Sequence, residues 1–438
     1  MELIYSGIYF IFNIIGKLAI GLSTYHLLIS FFGTYRKKRK VKFQPQKSFA
    51  VLIAAHNEEK VIQNIIHSVC GLNYPPELYD VFVIADNCTD NTAKLAKEAG
   101  ANVHIRENRD EVGKGYALDW FFDRLFRLKR DYDAVVVLDA DNLVSENFLF
   151  EMNDHLLRGY HAVQGYLDSK NPFDTVITAA YSLEFWISNR MLKLSRHNLG
   201  LSSQINGTGF AIDTMILKKY GWKANCLAED LEFTCKLILN GYKVGWAHDA
   251  VIYDEKPLTL KQSIAQRRRW MQGYADVYTR YFMKLMKKAV TEFDLAAFDC
   301  ALYSAQPIYL IIIGLNLINV YILNFGNAYA YLSNTLAQVM RSGPEPFMYV
   351  VALYLVLQVL YFPFLLHLDH KLDFRSLKSF VVFPLYFLTW IPIAVLGIMH
   401  KDSKTWVHTE HTRSMKLSEV EKKDSKPVEM VNERKFRA

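Results

Sequence analysis

Cysteine is scarce in this chain, and the little there is forms no pattern. Cys70, Cys88, Cys226, Cys235 and Cys300 are odd in number, widely separated and never arranged as CxxC, which argues against a disulfide framework and against a zinc site. A reducing compartment suits them. Glycine and proline stand at ordinary levels, 21 and 12 residues, so collagen-like and low-complexity architectures are excluded. Two phosphate-binding signatures are missing as well. No GxGxxG follows the first strand-like run and no GxxxxGKS/T occurs, which removes the dinucleotide fingerprint and the P-loop. Nor is the charge of one sign: 51 Lys and Arg stand against 44 Asp and Glu. The net +7 gathers beside apolar runs, where a membrane accounts for it better than nucleic acid does.

Apolar side chains are plentiful, 51% of the 438 residues, and 14% of the chain is aromatic. Because 22% is charged besides, a polar domain and apolar spans must coexist. From Ile8 to Phe32 the sequence is long and apolar enough for a transmembrane helix, despite Asn13, Lys17 and His26. Glu2 stands where a cleaved secretory signal would be positive, so the segment is expected to remain as an anchor. Arg36, Lys37, Lys38, Arg39, Lys40 and Lys42 follow it, and by the positive-inside tendency what comes next is cytoplasmic. Three more apolar stretches run from Pro307 to Leu323, Phe347 to Leu366 and Phe380 to Met399. If all three crossed, the basic tail from Lys401 would lie outside. The last, interrupted by Pro384 and Pro392, is therefore expected to be re-entrant.

Between Ser48 and Asp254 short β-rich runs alternate with helical ones, the signature of an α/β sheet with mostly parallel strands. Strands are expected at Phe49 to Ala55, Val81 to Ala85, Val103 to Ile105 and Ala134 to Leu138, with a helix from Lys114 to Lys129. Polar clusters end three of them: His56-Asn57-Glu58-Glu59, Asp86-Asn87-Cys88-Thr89-Asp90 and Asp139-Ala140-Asp141. In open α/β sheets ligands bind beyond the carboxyl ends of the strands, so these clusters point to one cleft. Asp86 could accept hydrogen bonds from a base or ribose, or serve only the turn chemistry of Asp-Asn clusters. The Gly113-Lys114-Gly115 turn could admit a diphosphate. Two carboxylates at a buried strand end, Asp139 and Asp141, call for neutralisation, which a divalent cation bridging to a diphosphate would supply. Further on, Glu229-Asp230 opens a helix and Gln266-Arg267-Arg268-Arg269-Trp270 lies in another. Arginine suits a diphosphate, a carboxylate can act as base toward a hydroxyl, and an aromatic face suits a sugar ring. From Leu258 to Ala289 apolar residues at helical spacing (Tyr278, Tyr281, Phe282, Leu285, Ala289) suggest a helix at the membrane interface.

The order D…DxD…ED…QxxRW, here Asp86, Asp139 with Asp141, Glu229 with Asp230, and Gln266 with Arg269 and Trp270, resembles the processive family 2 glycosyltransferases, the group of cellulose, hyaluronan and poly-N-acetylglucosamine synthases. The resemblance implies a GT-A type, Rossmann-like cytosolic domain with flanking transmembrane and interfacial helices. It also implies a UDP-sugar donor, Mg²⁺ or Mn²⁺, and inversion at the anomeric carbon. By it, Asp86, Lys114, Asp139 and Arg269 meet the donor, Asp139 and Asp141 serve the metal, and Asp230 is the general base. Glu229, Gln266, Arg269 and Trp270 hold diphosphate and acceptor, with Asn206, Gly207 and Thr208 in place of an acceptor loop and Val163-Gln164-Gly165 matching VQ-containing sequence. Trp406, Thr409, His411 and Arg413 are similar to a tail segment that approaches the active site from the cytoplasm.

The expected organisation is thus a transmembrane helix (1–34), a basic linker (35–47), the glycosyltransferase domain (48–255), interface helices (256–304), membrane segments forming a polymer channel (305–400) and a cytoplasmic tail (401–438). The protein would sit in the plasma membrane as a multi-pass synthase of a β-linked polysaccharide, with lipid around it and room for an accessory subunit. UDP-glucose and a cellulose-like or mixed-linkage β-glucan are the expected donor and product. A poly-N-acetylglucosamine or hyaluronan-like product, single-sugar transfer to a lipid, and a silent nucleotide-sugar binder or secretion-pore subunit are the alternatives.

Overall fold

The computed structural model describes residues 2–37, 42–223, 226–319, 334, 337, 359–402, 411 and 413–424. Strands β1 (Phe49–Ala55), β2 (Tyr79–Asp86), β3 (Asn102–Arg106), β4 (Ala134–Asp139), β5 (Leu143–Val144), β6 (Ala162–Ser169), β7 (Phe210–Asp213) and β8 (Val244–Asp254) form one sheet, ordered β3-β2-β1-β4-β7-β6-β8-β5. β1 pairs in parallel with β2 and β4, and β2 with β3. The other half is mixed. β7 runs antiparallel between β4 and β6, while β8 is parallel to β6 and antiparallel to β5.

Among and around these strands lie α1 (Glu2–Ser30), α2 (Ile62–Cys70), α3 (Thr92–Glu98), α4 (Lys114–Leu125), α5 (Phe148–Leu157), α6 (Val176–Ser188), α7 (Ser195–Asn198), α8 (Thr214–Tyr220) and α9 (Glu229–Leu239); α10 (Leu260–Thr291), α11 (Leu295–Ser304) and α12 (Gln306–Ile318) follow the sheet. Phe49, Val51 and Ile53 of β1 share a core with Ile62, Ile65 and Val69 of α2. Ala50 and Leu52 share the other with Ala117, Leu118 and Phe121 of α4. This is the period-two alternation of a strand covered on both faces. The chain runs outward from β1 through β2 to β3 and returns on the far side of β1 as β4, which opens a crevice at the carboxyl ends of β1 and β4.

Thr259 starts α10 with a capping box: its hydroxyl accepts from the Gln262 N–H, and the Gln262 side chain accepts from the Thr259 N–H. The apolar stripe of this helix packs on protein. Val277 and Leu285 are buried, and with Tyr281 and Phe282 they pack on Leu231, Cys235 and Ile238 of α9 and on Ala297 and Cys300 of α11. An amphipathic pattern specifies an apolar face, not its cover, and here protein provides the cover.

Among the described residues one helix is long and apolar enough to cross a bilayer, Phe10–Gly33. The pair α11 and α12, bent by 62° at their junction, is a second candidate if it counts as one span. The expected segment from Phe347 is described only from residue 359, as the short helix Val359–Leu368. The last is helical over Phe383–Met399, shorter than a full span, and divides into Phe383–Leu388 and Trp390–Met399. Trp390 is buried and packs with Met271 and Trp270 of α10.

Candidate active site

Asn57 and Asn87, at the ends of β1 and β2, adopt the left-handed backbone region with φ of 55° and 50°, a conformation asparagine tolerates better than most residues. Each side chain then latches a loop. Asn57 Oδ1 accepts from the Thr89 N–H at 2.8 Å, and Asn87 Oδ1 accepts from the Asn108 N–H at 2.8 Å. Asp86 is buried between them, where its carboxylate accepts from Arg106 at 2.7 Å. It thus has a structural partner and still lines the cleft.

Lys114 opens α4 from Gly113, whose φ of 124° suits glycine. Its ammonium donates to the Asp139 carboxylate and, at 2.8 Å, to the Gly207 carbonyl. The Asn206-Gly207-Thr208 loop is tied in from every side. The Asn206 N–H donates to Gln164 Oε1 at 2.8 Å, Gln164 Nε2 donates to the Thr208 carbonyl at 2.9 Å, and the Asp139 N–H donates to the Thr208 hydroxyl at 3.0 Å. Gln164, noticed in the sequence only as part of a loose match, is what anchors this loop to β6.

Asp141 is buried and accepts from the Glu255 N–H at 2.9 Å. Burial would raise its pKa, but His411, Lys170 and the backbone donors hold it below the usual carboxylate range. His411 reaches this point from the tail, its Nδ1 2.8 Å from Glu58 Oε1. Burial would depress the imidazole; Asp141 and Glu58 instead raise it to about 9, so it is cationic at neutral pH. Arg413 does not enter the cleft. Its guanidinium pairs with Asp174 at 2.8 Å and its N–H donates to Glu255 at 3.0 Å. Met415 and Val420 then pack on Leu143 and Tyr253, fastening the tail to the sheet edge. Trp406 and Thr409 lie outside the described residues.

Glu229 and Asp230 occupy the first turn of α9, where free N–H groups favour negative charge. Asp230 Oδ1 accepts from the Leu231 N–H at 2.8 Å, and its other oxygen faces Gly207 across the cleft. Removal from water raises both carboxyls, Glu229 further because Asp230 adjoins it. Lys114 and Lys193 draw Asp230 back, and Lys114 and Arg269 draw Glu229 back. On α10, Gln266 accepts from the Tyr181 hydroxyl, and Trp270 stacks on Trp390 with ring centroids 6.4 Å apart and planes 23° from parallel.

Asp86, Lys114, Asp139, Asp141, the Asn206-Gly207-Thr208 loop, Glu229, Asp230, Gln266, Arg269, Trp270 and His411 line one cavity of about 1040 Å³, while Asn57, Asn87, Gln164 and Arg413 stand outside its wall. Its far end is walled by Leu27 of α1, Leu310, Ile313 and Leu317 of α12, and Phe387 and Trp390. Ionisable residues in the wall that sequence reasoning missed include Glu184, Lys193 and Glu255. Near Trp270, Glu184, Arg267, Tyr386 and Trp390 form a buried polar group in which Tyr386 and Trp390 act on the Glu184 carboxyl. Burial raises the Glu184 pKa to about 7 even with Arg267 opposing. Among the described residues no three His, Cys, Asp or Glu side chains are placed to hold a metal by themselves. Asp139 and Asp141 fit the other kind of site, in which one or two carboxylates share Mg²⁺ with substrate phosphates and water.

Comparison with known proteins places this geometry. Residues 45–273, more than half the chain, match the family described as glycosyltransferase like family 2. A probable glycosyltransferase of Bacillus subtilis, YdaM, is 30% identical over 261 residues, 57% of this chain and 61% of that protein. A poly-β-1,6-N-acetyl-D-glucosamine synthase of Staphylococcus aureus is 28% identical over 260 residues, 57% of this chain and 60% of that one. The match thus spans about three-fifths of the length of these curated relatives. Among solved structures, the mannosyltransferase PcManGT of Pyrobaculum calidifontis, in complex with GDP-Man and Mn²⁺, superposes with a TM-score of 0.53 at 16% identity, over 88% of this chain and 98% of that one. The likeness extends the shared fold beyond the sheet, and the sheet itself is of the GT-A type. From the residues before β1 to the turn of α10 that carries Arg269 and Trp270, this chain belongs to glycosyltransferase family 2.

Proposed function

We propose that this protein is a membrane-embedded, processive, inverting glycosyltransferase that builds a β-linked polysaccharide from a UDP-sugar and passes it through its own membrane helices. The observation that supports this best is the continuity of the cavity. One space holds Asp139, Asp141, Lys114 and Asp230 at the strand ends and continues past Trp270 and Trp390 to the apolar walls of α1 and α12. Stacked indoles suit sugar rings, and the Glu184 carboxyl in the same wall can meet sugar hydroxyls.

In this scheme Asp230 accepts the proton of the acceptor hydroxyl as its oxygen attacks C1 of the donor, and the bond from C1 to the UDP oxygen breaks on the opposite face. Lys114 and Arg269 face the charge that develops on the leaving diphosphate. Mg²⁺ or Mn²⁺ held by Asp139 and Asp141 would neutralise part of that charge. Asp86 and Lys114 bind the UDP moiety, and Glu229, Gln266, Trp270 and the Asn206-Gly207-Thr208 loop shape the acceptor side.

The tail and the catalytic domain lie on one side, since His411 pairs with Glu58. On this reading the chain between Glu255 and His411 crosses the membrane an even number of times. With the basic segment from Arg36 beside the same domain, a multi-pass plasma-membrane location with the domain in the cytoplasm is the consistent arrangement. The staphylococcal relatives are named as N-acetylglucosamine polymer synthases, which favours UDP-N-acetylglucosamine over the UDP-glucose expected from sequence.

The test is UDP release by the purified chain in lipid with Mn²⁺ or Mg²⁺, offering UDP-N-acetylglucosamine, UDP-glucose and UDP-glucuronate separately and sizing the product. High-molecular-mass product from one donor supports the proposal and names the substrate. The apolar walls of the cavity also suit a lipid-linked acceptor, and release that depends on added lipid acceptor would select that second reading. No release from any donor would overturn both.

A further inference from the structure

Beyond α6 the backbone widens into a π-helical turn over Asn189–Leu194. Such turns shift the register of the side chains after them and recur at functional sites. Here the turn delivers Lys193, 1% exposed, to the cavity wall behind the Asn206 loop. Its ammonium donates to Gln204 Oε1 at 2.8 Å and to Asn206 Oδ1 at 2.7 Å, and lies 5.3 Å from the Tyr303 ring centroid. An ammonium withdrawn from water is costly unless a charge answers it, and these partners are neutral.

The charge balance identifies the answering group. The neighbouring cation, Arg196, already holds Asp299 through two hydrogen bonds of 2.7 and 3.0 Å. Asp230 lines the same cavity and meets the same loop from its other side, its Oδ2 3.5 Å from where a Cβ on Gly207 would stand. Asp230 is faced by Lys114 from α4, Lys193 from the π-turn, Tyr274 from α10 and Tyr303 from α11, with Glu229 beside it. Lys114 is engaged by Asp139. Lys193 is thus the cation toward Asp230 that the DxD turn does not share.

We propose that Lys193 is a positioning residue for sugar transfer: it fixes the Asn206 loop on the acceptor side and supplies the counter-charge that keeps Asp230 ionised, ready to take the acceptor hydroxyl proton. The proposal rests on the assignment of Asp230 as base given above. Desolvation raises the Asp230 pKa and Lys193 opposes that rise. Conversely, burial and Arg196 depress the Lys193 pKa to about 7, with Asp230 opposing.

The experiment follows UDP release from pH 5 to 9 for the wild-type chain, K193M and N206A in lipid, with UDP affinity measured alongside. K193M should keep its affinity for UDP while its acidic limb moves to higher pH by about one unit. The wild-type and K193M profiles should run parallel above about pH 7, where the lysine gives up its own proton. N206A should raise the acceptor KM and leave the limb in place, because the charge remains. A uniform loss across all pH values in K193M would mean that Lys193 only packs, and would overturn the proposal. Should K193M fail to bind UDP, K193Q keeps an amide donor for Asn206 and removes the charge; a limb at the wild-type position in K193Q overturns it equally. A wild-type chain that releases no UDP from any donor removes the underlying reaction instead.

Discussion

Arg280→Met should loosen the joint between the helix that carries Asp230 and the helix that carries Arg269 and Trp270. Glu232 of α9 is 1% exposed and accepts from both terminal nitrogens of Arg280, at 2.9 and 3.0 Å, with the Tyr281 hydroxyl at 3.0 Å and Lys236 at 3.2 Å. Burial alone would raise this carboxyl. The donors, Arg280 foremost, instead hold it at about 2 against an ordinary 4.5. A displacement of that size corresponds to roughly 3 kcal/mol at neutral pH. Lys236 and Tyr281 survive the substitution, so R280M should cost about 2 kcal/mol. Because the folded-state pKa is lowered, the stabilisation is complete above pH 4.5 and is lost as the pH falls toward 2. Denaturation of R280M, E232Q and the double variant in detergent would give the coupling, expected near 2 kcal/mol at pH 7 and smaller at pH 3. A coupling below about 0.5 kcal/mol, the range of an exposed pair, or one that does not shrink in acid, would refute the reasoning.

Three further outcomes test the site. Asp230→Asn should lower turnover by about 10² to 10⁴-fold, the usual weight of a general base, while UDP binding measured by calorimetry is largely kept; activity near wild type would remove the assigned base. Asp139→Ala or Asp141→Ala should abolish the increase in UDP affinity that Mn²⁺ or Mg²⁺ brings, and unchanged metal dependence would place the metal elsewhere. Trp390→Ala should shorten the product with little effect on the initial rate of UDP release, which gel sizing of the polymer would show; full-length product would take the Trp270–Trp390 stack out of the polymer path.

The parallel half of the sheet was legible because β1, β2 and β4 are apolar runs that each stop at a polar cluster containing Asp or Asn. β7 was not: its residues, Phe210–Asp213, are too few to show a period, and only pairing between β4 and β6 defines it. The acids and the Gln266–Trp270 turn were found because their order along the chain is itself distinctive. Lys193 and Glu184 went unseen for a different reason. Each lies in a helical stretch where the pattern of polar residues does not say which one faces a cavity, and the π-turn at Asn189–Leu194 shifts the register besides. The stripe of α10 and Trp390 were visible as apolar but not as buried against protein, since lipid and a neighbouring helix ask for the same side chains.

Contacts at α10 explain why the chemistry and the path beyond it are expected to act together. Gly273 comes so near Ala228, just ahead of Glu229 and Asp230, that a Cβ there would stand 2.5 Å from the Ala228 Cβ. Two residues earlier, Met271 is met as closely by Gly397 of the helix Trp390–Met399. Within one turn, then, α10 is seated against the start of the base's helix and against the helix that presents Trp390, and no larger residue fits at either contact without movement. Arg269 and Trp270 sit immediately before those contacts. Their distances to Asp230 on one side and to Trp390 on the other are consequently set by the same short stretch of backbone. A slide of α10 by about 1 Å would misplace both at once, and on that scale rates fall about a hundredfold. On the proposed roles, a side chain that meets diphosphate and one that stacks on sugar can therefore be tuned to Asp230 without separate supports for each.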